Sequence, residues 1–265
     1  ARAALPVAEH RVGGAGRREN QGLLRGTLSR PRHRLPDFTG HGDVQSRKQE
    51  FFAWMLPLVE VENARLRDVR WRLTAAFELV RWGRPLSRED AQWLQELALE
   101  FRIQDADPRS GAFWRTAFER VDALPVDLVV VQAANESAWG TSRFAREGNN
   151  LFGQWCFRPG CGIVPLDRPE GASYEVARFG SPAESVASYM RNLNTGRSYQ
   201  LLRELRARRR AQGQPPGAQE LAAGLVDYSE RGPEYVDEIR AMIRVNGPVI
   251  AAARGLLGAP RGEEG

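Results

Sequence analysis

The segment Val126-Asp127-Leu128-Val129-Val130-Val131-Gln132-Ala133-Ala134-Asn135-Glu136 constrains the fold more than any other stretch of the chain. It is apolar on nearly every side, so a helix built from it must be central and covered all round. Pro125 stands where a first-turn proline belongs, its fixed φ and missing N–H both tolerated there. The β-branched run Val129-Val130-Val131 suits a buried strand equally well on local propensity. The following Ala133-Ala134-Asn135-Glu136 favours helix.

A buried helix needs other elements to wrap it, and the flanking sequence supplies them. Residues 1–42, rich in Gly, Arg and Pro and without periodicity, read as a flexible basic extension. An N-terminal helical region follows over 43–120. Its first helix carries Phe51, Phe52, Met55 and Val59 at helical spacing, with Pro57 placed to kink or divide it. A capping box at Ser87-Arg88-Glu89-Asp90 leads into Trp93, Leu94, Leu97 and Phe101. Ser110 opens a third helix with Phe113, Trp114, Ala117 and Phe118 inward.

Between 154 and 179 the pattern changes. Gly160, Gly162, Pro165, Pro169 and Gly171 punctuate two short strands, 163–167 and 173–179, joined as a hairpin by Arg168-Pro169-Glu170-Gly171. Ser181-Pro182-Ala183-Glu184 is a complete helix start, with N-cap, N1 proline and N3 carboxylate. Helices are expected at 182–194, 198–212, 218–227 and 233–246, the last stopped by Asn246-Gly247. The fold class is therefore α+β, mostly α: a helical domain over 121–250 with one small β-hairpin, an N-terminal helical extension and a flexible tail at 251–265.

Several chemistries are disfavoured. All three histidines (His10, His33, His41) precede the first well-patterned helix, so a Ser-His or Cys-His nucleophile or a histidine metal site has poor support. Two cysteines without histidines do not make a zinc site, and neither metal nor cofactor is expected. The net charge of +5 suits an acidic partner such as peptidoglycan. It comes from arginine almost alone, Lys48 being the single lysine, and no aromatic-basic motif accompanies it; nucleic acid is not an expected partner. No apolar stretch approaches the roughly 18 to 20 residues of a transmembrane segment. Acid-base work falls to Asp, Glu or Tyr. Glu136 ends the most apolar helix, where burial raises a carboxyl pKa and keeps the proton that glycosidic cleavage requires. A surface carboxylate at a helix end is the ordinary alternative.

The surroundings of Glu136 are specific. Ala133-Ala134-Asn135-Glu136-Ser137-Ala138-Trp139-Gly140-Thr141-Ser142-Arg143-Phe144-Ala145, followed by Asn149-Asn150-Leu151-Phe152-Gly153, resembles the glucosaminidase domain of glycoside hydrolase family 73. Trp155-Cys156, Cys161-Gly162, Tyr174-Glu175-Val176-Ala177-Arg178-Phe179, Tyr189-Met190-Arg191-Asn192 and Leu225-Val226-Asp227-Tyr228-Ser229-Glu230-Arg231-Gly232 resemble its bacterial Bax subgroup, unrelated to the apoptosis regulator of that name. So do Leu35-Pro36-Asp37-Phe38 and Arg47-Lys48-Gln49, and the resemblance spans about residues 35–246.

This resemblance implies a lysozyme-like fold with a cleft between helical body and hairpin, and an endo-acting β-N-acetylglucosaminidase that cuts peptidoglycan glycan strands. Glu136 matches the general acid, and Tyr228 matches an active-site tyrosine, with Tyr235 downstream. The second carboxylate belongs on the hairpin, where Asp167, Glu170 and Glu175 are all available and the register does not choose among them. Substrate-assisted chemistry by the N-acetyl group would need none of them. Trp139, Phe152 and Trp155 offer flat surfaces for sugar rings, and Gln132, Asn149 and Asn150 offer amide hydrogen bonds. Each also has a plain structural reading as core or turn. Cys156 and Cys161, with Pro159-Gly160 between them, suit a disulfide at the base of the hairpin and an exported protein of the periplasm or cell envelope, a reduced pair in a cytosolic protein being the alternative. Two rival readings are an inactive glycan-binding module and an envelope scaffold that recruits partners through its N-terminal helices. A mannosyl-glycoprotein substrate is a further option within the enzyme reading.

Overall fold

The long apolar segment is a helix, and the rest of the chain is arranged around it. The computed structural model describes residues 34–40 and 42–258. The greater part of the expected N-terminal extension, all three histidines and the end of the expected tail lie outside them. The described elements are α1 (Val44–Arg81), α2 (Arg88–Glu100), α3 (Gly111–Arg120), α4 (Val126–Glu136) and α5 (Arg143–Gly148), then β1 (Trp155–Cys156), β2 (Gly162–Ile163) and β3 (Glu175–Ala177). They continue with α6 (Pro182–Thr195), α7 (Gln200–Ala211), α8 (Ala218–Leu221), a 3-10 segment (Ala222–Tyr228) and α9 (Pro233–Gly258). The fold is mostly α with a little β, and among the described residues no helix is long and apolar enough to cross a membrane.

In α4 every residue from Leu128 to Ala134 is buried, Gln132 included. Removing each Val or Leu side chain from water contributes about 1.5–3 kcal/mol, which outweighs the mild helix penalty of three consecutive valines. The cover comes from α1 and α9, both packed on α4 and on each other, with α6 also against α1. Phe51, Phe52, Met55 and Val59 are all buried on α1, which runs through Pro57 as one 38-residue helix. One hydrophobic cluster reaches from Phe38 to Ala253, so the helices before residue 120 share a core with those after it. The predicted caps form: Ser87, Ser110 and Ser181 accept from the backbone N–H of Asp90, Ala112 and Glu184.

Three expectations are corrected. The last part of the expected extension is not free, because Phe38 is only 1% exposed and packs edge-on against Phe51 and Trp54. The last helix does not stop at Asn246-Gly247. It continues through Pro248 to Gly258, since Ile250 and Ala253 extend its buried stripe and Arg254 pairs with Asp127 at 2.6 Å. The hairpin is a three-stranded antiparallel sheet of order β1-β3-β2, with Trp155 opposite Val176 and Ile163 also opposite Val176. The expected first strand is cut to Gly162–Ile163. Pro165 lacks the N–H a ladder needs, and Val164 and Leu166 point to solvent.

The join between the N-terminal arm and the body is tight. Gly140 has φ +78°, and a Cβ there would lie 2.6 Å from the Phe38 ring. Gly140→Ala is expected to lower stability by about 1–3 kcal/mol through backbone strain and overpacking. Thermal melting of the variant checks this, and an unchanged midpoint would contradict the packing described.

Candidate active site

Glu136 is placed by the way α4 ends. Ser137 turns its hydroxyl back to Ala133 O at 2.6 Å, and the same oxygen accepts from Gly140 N at 2.8 Å. Trp139 N reaches Ala134 O at 2.8 Å, and Ala138, Trp139 and Gly140 all take positive φ. This sharp stop leaves Glu136 as the last helical residue, partly buried, at the negative pole of α4. Burial raises its pKa; hydrogen bonds from Tyr235 and Asn135 act the other way and do not cancel it.

The immediate partner of Glu136 is Tyr235, on the first turn of α9, whose hydroxyl donates to Oε1 at 2.7 Å. Asn135 Nδ2 is a longer contact to the same oxygen, at 3.4 Å. On the other side lies Gly153, at φ +63°, where a Cβ would stand 3.8 Å from Oε2. Behind Tyr235, Gln132 donates to the Tyr235 hydroxyl at 3.0 Å and accepts from the Tyr189 hydroxyl. Tyr228 and Tyr235 stack with centroids 5.4 Å apart, and Phe152 and Tyr189 stack at 3.8 Å. Burial pushes the Tyr189, Tyr228 and Tyr235 phenols well up, so each remains a donor at neutral pH. Glu136 thus sits on a wall of protonated phenols.

Tyr228 is buried and its hydroxyl donates to Phe152 O at 2.8 Å, so it holds the loop before Gly153 while Tyr235 takes the contact with Glu136. Gln132, Asn150 and Phe152 have essentially no accessible surface. Asn150 is spent on the loop itself: Nδ2 donates to Gln154 O and Ala177 O, both at 2.8 Å, and Oδ1 accepts from Gln154 N at 3.0 Å. Asn149 caps α5 in the left-handed region and donates to Phe179 O at 3.0 Å. Trp139 packs its ring edge-on against Phe51 and Phe52, with Lys48 over it. Trp155 is partly buried in the sheet, edge-on to Tyr174, and its indole N–H has no partner among the described residues. A cavity of about 370 Å³ between Arg34, Asp37, Arg146 and Gly180 borders Asn149 but is not lined by Glu136.

Of the hairpin carboxylates, Glu175 is already used. Its two oxygens accept from Gly160 N at 2.9 Å and Gly162 N at 2.7 Å, and these backbone donors lower its pKa. It thereby fixes the loop closed by the disulfide between Cys156 and Cys161. That loop joins β1 to β2, where a clamp at the base of a two-stranded hairpin was expected. Oxidised cysteines offer no thiolates, so the proximity of Glu175 to both sulfurs does not make a metal set. Asp167 and Glu170 are exposed on the segment between β2 and β3.

The depressed pKa of Glu175 fixes the sign of a pH effect. Its contribution to loop order is complete above the ordinary value of 4.5 and is lost as pH falls through the lower folded value. Amide exchange at Gly160 and Gly162 is expected to accelerate over that acid range, beyond the intrinsic pH dependence of exchange, and Glu175→Gln should show the acceleration already at neutral pH. Equal protection in both proteins would remove the anchoring role.

Sequence reasoning named Tyr235 only as lying downstream of Tyr228 and gave it no role. It begins the buried stripe Tyr235, Val236, Ile239, Ile243 and looks like any core aromatic at helical spacing. The one available signal was the Gly232-Pro233 helix start, which puts it in a first turn.

Comparison with known proteins agrees with the motif. Residues 112–247 match the glucosaminidase family, described as mannosyl-glycoprotein endo-beta-N-acetylglucosaminidase. Protein bax of Escherichia coli (strain K12) is 32% identical over 219 residues, covering 82% of this chain and 76% of that protein. No solved structure matches the chain. A family match over half the chain, with a relative of this identity over most of its length, means that the protein belongs to the glucosaminidase family, in its Bax subgroup.

Proposed function

We propose that the protein is a peptidoglycan hydrolase, an endo-acting β-N-acetylglucosaminidase with Glu136 as general acid. The observation that carries this reading is the state of Glu136: a carboxyl whose pKa burial raises, hydrogen-bonded on Oε1 alone among the described residues. Oε2, beside Gly153, is then the oxygen that gives its proton to the leaving sugar oxygen. As that proton leaves, the Tyr235 donor meets a full carboxylate and strengthens, which stabilises the product state of the acid.

Trp155 and Tyr174 form the aromatic wall for the sugar on the sheet side in this reading. Asp167 supplies the partner carboxylate from the exposed β2–β3 segment, the substrate's own acetamido group being the route that needs none. The disulfide suits an oxidising compartment, in keeping with the periplasm or cell envelope. Mass spectrometry of the fragments released from purified sacculi tests the reading. New reducing ends at N-acetylglucosamine are expected. Ends at N-acetylmuramic acid would move the cut to the other bond, and cleavage of a mannosyl-glycoprotein but not of sacculi would replace the substrate.

A further inference from the structure

Beyond Tyr235, the site continues into a charged pair that the proposed reaction does not use. The Arg231 guanidinium lies over the Tyr235 ring, with Cζ 5.7 Å from its centroid. Arg231 Nη2 pairs with Glu238 Oε2, and Glu238 is one helical turn beyond Tyr235 on α9. The chain of contacts therefore runs Glu238 to Arg231, Arg231 to the face of Tyr235, and the Tyr235 hydroxyl to Glu136. Arg231 stands just before the glycine and proline that start α9, so its backbone position is set by the same turn that presents Tyr235.

The groups in electrostatic reach of Glu136 come from several elements. They are Tyr189 on α6, Tyr199 ahead of α7, Tyr228 in the 3-10 segment, Tyr235 and Glu238 on α9, and Arg231 between. Burial holds the four phenols protonated, so only Arg231 and Glu238 carry charge at neutral pH. A cation over the ring also polarises the phenol and strengthens its O–H as a donor.

We propose that Arg231 and Glu238 act on Glu136 through Tyr235, their opposed charges biasing its proton in opposite directions. The inference rests on Glu136 being the acid of the proposed reaction. The two charges oppose one another at Glu136. Removing Arg231 leaves the Glu238 anion, which favours protonated Glu136. Removing Glu238 leaves the cation, which favours the carboxylate.

The test compares wild type, Arg231→Gln, Glu238→Gln, the double variant and Arg231→Lys. Two readouts are used: the pH profile of sacculus hydrolysis and the carbon-13 titration of the Glu136 carboxyl. The alkaline limb should move up in Arg231→Gln and down in Glu238→Gln, and return close to wild type in the double variant and in Arg231→Lys. At a fixed pH on that limb the two single variants should differ by about threefold or more. A purely structural pair would shift both limbs the same way or neither, and that result overturns the proposal. The titration separates this outcome from failure of the functional reading. Opposed shifts of Glu136 in a protein that releases nothing from sacculi would sustain the pair's role and sink the hydrolase.

Discussion

Glu136→Gln is expected to lower release of reducing ends from sacculi by roughly a hundred- to ten-thousand-fold, the ordinary contribution of a general acid. The amide keeps the shape, and its oxygen still accepts from Tyr235, so the loss is chemical rather than architectural. Stability should move the other way. A carboxyl whose folded pKa is raised contributes most below its ordinary value of 4.5, and that contribution is lost as pH rises through the folded value. Above the folded value a deprotonated Glu136 strains the fold, and the neutral amide of the variant does not. The variant should melt no lower than wild type at pH 7, with any advantage narrowing in acid. Full activity in Glu136→Gln would end the mechanism, and a large drop in melting temperature would end the claim that the residue is strained.

The second large effect is on folding, at a site remote from the chemistry. Arg206, only 1% exposed, reaches Asn194 Oδ1 at 2.6 Å and Glu119 O at 2.8 Å, with Asp122 Oδ2 3.8 Å from its Nε. Asp122, equally buried, is bonded by Arg210 through two nitrogens at 2.9 and 3.0 Å and lies 3.9 Å from Arg70. Burial pushes the Arg206 pKa down to about 10, so it stays charged at neutral pH. Asp122→Ala would leave that cation inside without its carboxylate, at a cost of about 3–5 kcal/mol. Against a total stability of about 5–15 kcal/mol, this approaches unfolding at physiological temperature. Asp122→Asn should recover part of the loss by keeping acceptor geometry. Denaturant titration of both variants checks the order, and an Asp122→Ala midpoint equal to wild type would show the cluster to be superfluous.

The legible and the illegible parts of this protein differ in the range of the physics involved. The helix from Val126 could be read because all-round apolarity leaves a chain few options, and the serine caps because capping involves only neighbours. Glu136 was found because the motif around it adds specificity to that apolar helix. Its partner was not, since Tyr235 and Tyr228 differ only in where their hydroxyls end, which depends on packing between segments far apart in sequence. Glu175 illustrates the same limit. It was one of three carboxylates expected on the hairpin, but only the folded Cys156–Cys161 loop shows that two glycine amides already occupy its oxygens. The third strand was missed because Trp155-Cys156 is too short to show alternation, and it pairs only because β3 lies alongside.

The hydrogen bonds that assemble the site span 57, 99 and 103 residues of chain, from Gln132 to Tyr189, from Glu136 to Tyr235 and from Gln132 to Tyr235. Contacts of such sequence separation pay the largest loop-closure entropy and form late. A partly folded chain, however helical, has no Tyr235 on Glu136 and an ordinary solvated carboxyl in its place. Under the proposed reading, competence to cut is therefore tied to the docking of α9 onto α4, and a chain in which that contact has not formed is inert.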